Sequence, residues 1–144
     1  WMAENPDRVR ELVSAPEARD AQVEELLRAF APTFSARYLT KDLELDGVLM
    51  KAGDSFMSFL PACNYDPEVW ENPREIDFKR QRKPILTFTG GAHSCMGGHL
   101  ARLEFKIGLD EWLKRIPAFS LKPGTEIRYT PSGVVGPDKV PLVW

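Results

Sequence analysis

The last long helix of the chain restricts the fold most, because most of its circumference is apolar. The pattern predicts this helix from about His99 to Ile116. At 100° per residue its apolar side chains fall on two faces, so the helix needs cover on more than one side. One face comprises Ala101, Phe105, Leu109, Trp112, Leu113 and Ile116, and the other comprises Leu100, Leu103 and Ile107. Such a helix belongs inside a large hydrophobic core.

Two further helices and a hairpin are predicted in the first half of the chain. Asn5 followed by Pro6 is typical of a helix start, and apolar residues then follow at helical spacing. A second helix is predicted from Ala18 to Phe30, and Pro32 stops it. Asp46-Gly47 lies between two short alternating segments, which predicts a two-residue hairpin turn.

The remaining segments have weaker patterns. Residues 61 to 84 carry four prolines and no regular period, which predicts a long irregular segment that packs through its apolar and aromatic side chains. After Phe119 the pattern indicates short strands separated by turns. The predicted turns lie at Pro123-Gly124, Pro131-Ser132-Gly133 and Gly136-Pro137.

Composition sets broad limits on partners and cellular setting. With 43% apolar and 28% charged residues the chain is typical of a globular protein. A net charge of −2, without a block of like charges, predicts neither a nucleic-acid partner nor a membrane partner. Two cysteines in different contexts do not form a disulfide scaffold, which favours a reducing, intracellular setting. A start on Trp1-Met2 predicts that the chain derives from a longer protein.

A glycine-rich loop from Thr89 to Gly98 carries the chemistry. Four glycines surround Cys95 immediately before the buried helix. Glycine permits positive φ angles and close approach to a flat ligand. The free N–H groups and the positive end of the helix dipole both favour a thiolate over a thiol. The pattern therefore predicts that Cys95 is a metal ligand or a nucleophile.

The loop chemistry alone leaves several interpretations open. His93, Cys95 and His99 could be zinc ligands, although their spacing fits no common zinc pattern and a fourth ligand is not evident. A glycine-rich loop before a helix can also bind phosphate, but the expected Lys-Ser/Thr ending is missing. Cys95 with His93 could form a nucleophile–base pair. Cys63 is predicted to be a structural residue.

The loop resembles the haem-binding loop of the cytochrome P450 family, in which Phe, Gly, Cys and Gly stand at fixed positions. Phe88, Gly91, Cys95 and Gly97 fill these positions. The resemblance implies that Cys95 binds the iron of haem b as a thiolate. It also implies that Phe88 packs beside the sulfur and the porphyrin. His93 occupies the place from which bacterial members reach a haem propionate.

Other matches to the same family follow in the expected order. Glu25 and Arg28 resemble a Glu-x-x-Arg pair whose ion pair braces the core beneath the haem, and Arg37 stands where members carry an arginine to a propionate. In the segment before the loop, Glu75 occupies the place of a third, basic member of the brace, and Arg74 lies one position early. The third member therefore stays open. Ser35 replaces an aspartate that touches a propionate in the camphor-hydroxylating type.

The resemblance implies a mainly α fold with small β-sheets, of which residues 1–144 form the C-terminal haem-binding portion. This portion should hold three helices, a hairpin region and a terminal strand pair. The family's oxygen-activating helix would precede residue 1. The resemblance is greatest to the bacterial camphor 5-monooxygenase type, including the closing Pro141-Leu142-Val143-Trp144. A soluble, cytoplasmic bacterial protein is therefore expected.

The implied activity is insertion of one oxygen atom of O₂ into a small apolar, terpenoid-type substrate. Its electrons would come from a 2Fe–2S ferredoxin and an NADH-dependent reductase. By the same resemblance Thr33, Val134 and Val135 line the substrate pocket, although all three are equally well explained as packing residues. The alternative is a truncated chain that binds haem but is catalytically incomplete.

Overall fold

The computed structural model describes residues 1–130 and 133–144. The described residues form four α-helices: α1 (Pro6–Ser14), α2 (Arg19–Ala29), α3 (Leu60–Cys63) and α4 (Gly98–Arg115). Short 3-10 helices span Met2–Glu4, Pro16–Ala18 and Gly91–His93. None of the helices in the described part of the chain combines the length and the apolar character needed to cross a bilayer.

Four two-stranded antiparallel sheets accompany the helices in the described residues. The strands are β1 (Ser35–Tyr38), β2 (Leu43–Leu45), β3 (Val48–Met50), β4 (Ser55–Ser58), β5 (Ser120–Leu121), β6 (Tyr129–Thr130), β7 (Gly136–Pro137) and β8 (Leu142–Val143). The pairs are β1 with β4, β2 with β3, β5 with β8 and β6 with β7. The mainly helical architecture with small sheets is therefore confirmed.

The hairpin of β2 and β3 follows the sequence prediction. Asp46 and Gly47 have φ angles of 51° and 78°. Two consecutive positive φ angles give the two-residue turn whose twist matches that of the flanking strands. Leu45 and Val48 pair directly across the turn.

The core lies between α1, α2, α4 and the segment before the cysteine loop. Its buried members are Val9, Leu12, Val23, Leu26, Phe78, Leu109, Leu113 and Phe119. Trp112 packs edge-on against Phe119, with ring centroids 5.5 Å apart. These residues come from distant parts of the sequence, so the core holds α4 in a fixed position relative to α2.

Charged side chains join α2 to α4 beside this core. Arg19 donates to Asp110 at 2.6 Å, and Lys106 donates to Asp20 at the same distance. Arg102 pairs with Glu24 about one turn further along the two helices. The partners run in opposite directions along the two helices, so the ion pairs fix an antiparallel register.

Within the described chain, Leu100, Leu103 and Ile107 on the second apolar face of α4 are 53–58% exposed. Two sequence predictions need correction. Residues 61–84 are mostly irregular, but they begin within the short helix α3, which has too few residues for a periodic pattern. Gly136-Pro137 forms β7 rather than a turn. Pro131 and Ser132 of another predicted turn lie outside the described residues.

Candidate haem-binding site

The cysteine loop is held in shape by its own backbone hydrogen bonds. The Cys95 N–H donates to the Phe88 carbonyl at 3.0 Å, and the Ser94 N–H donates to the Gly91 carbonyl at 3.1 Å. The Thr89 hydroxyl donates to the His93 carbonyl at 2.6 Å. Gly91 has a φ of 65°, which other residues adopt only with strain. The glycine at position 91 therefore allows the loop to adopt this conformation without strain.

The loop passes into α4 through two glycines that lie close to their neighbours. A Cβ atom added at Gly97 would lie 3.8 Å from the Cys95 Sγ atom. One added at Gly98 would lie 3.4 Å from the Phe88 ring and 3.3 Å from the Arg102 guanidinium. That guanidinium lies 4.7 Å from the centroid of the Phe88 ring. Phe88 is thereby packed onto the first turn of α4.

Cys95 is exposed at the start of this helix and faces an open side of the protein. The amides of Met96 and Gly97 donate to no acceptor within residues 1–130 and 133–144. Unsatisfied amides and the helix dipole stabilise negative charge at a helix N-terminus. This donor set fits a single thiolate ligand to an iron. Haem therefore fits the residues present.

The zinc interpretation has no geometric support. In the part of the chain that the structure describes, no three His, Cys, Asp or Glu side chains come together to hold a metal ion. His93 lies on the 3-10 turn of the loop and His99 lies in the first turn of α4, and both are exposed. Cys63 donates its thiol to the Phe59 carbonyl at 3.6 Å.

Arg37 and His93 are available for an anionic ligand. Arg37 lies exposed on β1 and donates to the Ser35 hydroxyl and to the Ala36 carbonyl, both at 2.7 Å. It has no carboxylate partner among the described residues. His93 is exposed on the loop. No contact joins the two side chains, so the structure does not bring them together directly.

Glu25 and Arg28 form a buried ion pair on α2, as the sequence predicts. Two parallel hydrogen bonds of 2.8 Å join them. Arg28 also donates to the carbonyls of Asn64, Pro73 and Glu75. A buried side chain on α2 therefore fixes the irregular segment between α3 and the cysteine loop.

Arg80 is the third member of this brace, which the sequence left open. Its Nε atom lies 3.1 and 3.2 Å from the two carboxylate oxygens of Glu25. Glu75 contributes its carbonyl oxygen, which accepts from both arginines, and Arg74 does not take part. Because Arg80 stands among several basic residues, no spacing rule in the sequence distinguishes it from its neighbours.

The surroundings of Glu25 favour its ionised form. Burial opposes ionisation, but the hydrogen bonds from Arg28, from the Asp77 N–H and from Arg80 outweigh it, together with the charge of Arg28. They hold the pKa of the Glu25 carboxyl below its ordinary value. The brace is therefore charged at neutral pH.

The three predicted substrate residues come together in the structure. Thr33 forms an isolated antiparallel bridge with Val134. The Val135 N–H donates to the Pro32 carbonyl at 2.7 Å. Val135 also lines an apolar cleft of about 490 Å³ together with Phe30. The described geometry pairs Thr33 with Val134 and places Val135 beside an apolar cleft.

Comparisons with known proteins identify the family of the chain. A family model described as cytochrome P450 matches residues 19–140. The probable cytochrome P450 127A1 of Sinorhizobium fredii is 39% identical over 144 residues, which are 100% of this chain and 35% of that protein. Nocardicin C N-oxygenase of Nocardia uniformis is 35% identical and matches 99% of this chain and 37% of its own length.

A solved structure confirms the fold. Cytochrome P450 CYP101C1 matches 99% of this chain with a TM-score of 0.94 and 33% identity, over 37% of its own chain. The chain thus spans about a third of the length of the relatives it matches.

Proposed function

Because the chain belongs to the cytochrome P450 family, whose members bind haem iron, we propose that it supplies the haem-binding part of a haem-thiolate monooxygenase. The observation that carries this proposal is Cys95, exposed at the start of α4 and followed by two open amides. In this proposal the Cys95 thiolate would hold the iron of haem b. Haem iron held by a thiolate supplies the chemistry for O–O bond cleavage.

The residues around Cys95 have distinct proposed roles. Gly91 and Gly97 give the loop its close turn, and Phe88 would pack beside the sulfur and the porphyrin. Arg37 and His93 neutralise the haem propionates, and the lack of a carboxylate partner for Arg37 in the described chain supports this assignment.

The brace formed by Glu25 and Arg28 acts at a distance from the iron. Together with Arg80 it ties α2 to the segment that leads into the loop. A buried pair of this kind needs all of its partners, because an unpaired buried charge is costly. Its proposed role is to hold in place the segment that leads into the Cys95 loop.

The proposed reaction inserts one oxygen atom of O₂ into a small apolar, terpenoid-type substrate of the kind used by the camphor-hydroxylating type. The other oxygen atom leaves as water with two electrons and two protons. A 2Fe–2S ferredoxin and its NADH-dependent reductase, in the bacterial cytoplasm, would supply the electrons. Thr33, Val134 and Val135 are proposed at the substrate side, which the apolar cleft beside Val135 supports.

A second candidate function is haem binding without oxygenation by the 144-residue chain on its own. The apolar stripe of Leu100, Leu103 and Ile107 favours it, because more than half of each side chain is exposed in the described structure. Product formation with ferredoxin, reductase and NADH distinguishes the two candidates. Hydroxylated product from the 144-residue chain would contradict this second candidate.

The test of haem ligation is the difference spectrum of the reduced protein with carbon monoxide, recorded on the haem-loaded intact protein. We expect a long-wavelength Soret band in the wild type and its loss in Cys95→Ala. Cys63→Ala is the matched control, because it removes the other thiol and should keep the band. An equal band in Cys95→Ala would exclude Cys95 as the ligand.

A further inference from the structure

Two buried polar side chains connect α2 to the cysteine loop. Asn64 is 1% exposed and Thr87 is 6% exposed. The Asn64 Nδ2 atom donates to the Thr87 hydroxyl at 2.8 Å, and that hydroxyl donates to the Leu27 carbonyl at 2.7 Å. The Asn64 Oδ1 atom accepts from the Leu86 N–H at 2.8 Å. The brace and the loop thus share a second connection that does not involve charge.

The direction of each hydrogen bond in this connection is fixed by chemistry. The Leu27 carbonyl can only accept, so the Thr87 hydroxyl must donate to it. The hydroxyl then has only lone pairs left for Asn64, so the amide must present its NH₂ group to Thr87. The amide oxygen consequently faces the Leu86 N–H. A carboxylate at position 64 could not replace the donor, although it has nearly the same shape.

The connection is anchored at one end by the ion-pair brace. The carbonyl oxygen of Asn64 accepts from Arg28 at 2.8 Å. Arg28 is itself 1% exposed and paired with Glu25. Asn64 is therefore held by its backbone as well as by its side chain, and its amide has little freedom to turn away from Thr87.

At the other end the connection reaches Cys95 through the backbone. Thr87 directly precedes Phe88, whose carbonyl accepts the Cys95 N–H at 3.0 Å. The Phe88 ring also packs on Gly98 at the start of α4. A shift of Thr87 away from α2 would move the Phe88 carbonyl, and with it the backbone of Cys95.

We propose that Asn64 and Thr87 are positioning residues for thiolate ligation, which set the distance of the Cys95 loop from α2. The proposal rests on the proposed function, since it concerns the same sulfur. Neither side chain is argued to touch the haem. Their effect is transmitted by the Phe88 carbonyl to the Cys95 backbone, and so to the position of the sulfur that would hold the iron.

The test compares near-isosteric variants of the haem-loaded intact protein at equal haem content. Asn64→Asp removes the donor and Thr87→Val removes the hydroxyl, while Thr87→Ser keeps the hydroxyl. Thr40→Val is the matched control, because Thr40 is exposed. The readouts are the ratio of the long-wavelength to the short-wavelength Soret band with carbon monoxide, and amide hydrogen exchange in residues 88–98.

We expect Asn64→Asp and Thr87→Val to lower the band ratio at least threefold and to speed exchange in residues 88–98 about tenfold. Thr87→Ser and Thr40→Val should stay near the wild type. Wild-type band ratios and exchange in both Asn64→Asp and Thr87→Val would overturn the proposal. A Thr87→Ser variant as impaired as Thr87→Val would also overturn it, because packing of the methyl group would then explain the effect.

Two further outcomes are decided by the same set of proteins. Should Asn64→Asp and Thr87→Val fail to fold, Thr87→Ser decides alone, since a wild-type band ratio there supports the hydroxyl. Failure of the proposed function has a different signature. In that case the wild type itself would lack a long-wavelength band that depends on Cys95.

Discussion

Gly91 is the one glycine of the loop from Thr89 to Gly98 that has a positive φ. Its φ of 65° lies in the left-handed region, while an added Cβ atom would meet no other atom within 4 Å. The cost of a side chain there is therefore conformational rather than steric. A substitution at Gly91 therefore tests the backbone conformation of the loop separately from the packing around it.

We predict that Gly91→Ala destabilises the protein by about 1–2 kcal/mol, the usual penalty for an L-residue with positive φ. Gly90→Ala is the matched control, because Gly90 is extended at φ −154° and an added Cβ would only reach ordinary contact with Leu86. Its effect should be neutral or slightly stabilising. Urea unfolding of the three proteins checks this, and equal effects at both positions would contradict it.

Glu25 gives a prediction on pH. Its pKa is lowered in the folded protein, so its contribution to stability is present above the unfolded pKa and is lost as the pH falls through the folded pKa. We expect Glu25→Gln to lower the free energy of unfolding by about 3–5 kcal/mol near neutral pH, because Arg28 and Arg80 lose their partner. The difference from the wild type should shrink below about pH 4, near the ordinary pKa of Glu.

The measurement is urea unfolding of the intact protein across this pH range. Glu44→Gln serves as control, since Glu44 is exposed on β2 and has no ion-pair partner among the described residues. A penalty for Glu25→Gln that did not change with pH would mean that the carboxylate charge is not what holds the brace.

Between elements, the register of α2 against α4 depends most on Arg19. Its side chain is 4% exposed, whereas Lys106 and Asp20 of the neighbouring pair are 41% and 64% exposed. Exposed pairs contribute little because water and salt screen them. The buried guanidinium also bonds Gln22, so its loss leaves two polar groups without their donor.

We predict that Arg19→Met destabilises the protein by about 1.5–3 kcal/mol, the range for hydrogen bonds to charged groups. Lys106→Met, the control from the exposed pair, should change stability little. Thermal unfolding at low and high salt checks this contrast. The stability difference between Lys106→Met and the wild type should vanish in high salt, whereas the difference between Arg19→Met and the wild type should remain. Equal effects of the two substitutions would show that burial of Arg19 is not decisive.

The sequence predicts those secondary-structure elements that depend on neighbouring residues. The Asp46-Gly47 turn needs two residues with positive φ, and an Asp-Gly pair is one that favours such a turn. The four residues of α3 are too few for a period. Arg80, Asn64 and Thr87 lie far from their partners in sequence, so their contacts depend on how the irregular segment folds back on α2. Local spacing cannot specify such contacts.

At the scale of the whole molecule, the core covers only one side of α4. Leu109 and Leu113 are 4% exposed, while the stripe of Leu100, Leu103 and Ile107 remains open in the described structure. The sequence predicts that both faces of α4 need cover, because the side chains on both faces are apolar. The relatives that share this fold are about three times as long as the chain.

The last prediction concerns the 144-residue chain on its own. An apolar stripe left in water promotes association, so we expect the chain to form concentration-dependent oligomers in sedimentation velocity. Leu103→Gln combined with Ile107→Gln should reduce the oligomeric fraction several-fold, because both side chains are 53% exposed. Lys114→Gln, an exposed position on the same helix, is the control and should not reduce association. A wild-type chain that stays monomeric at every concentration would show that the stripe is covered or is not adhesive.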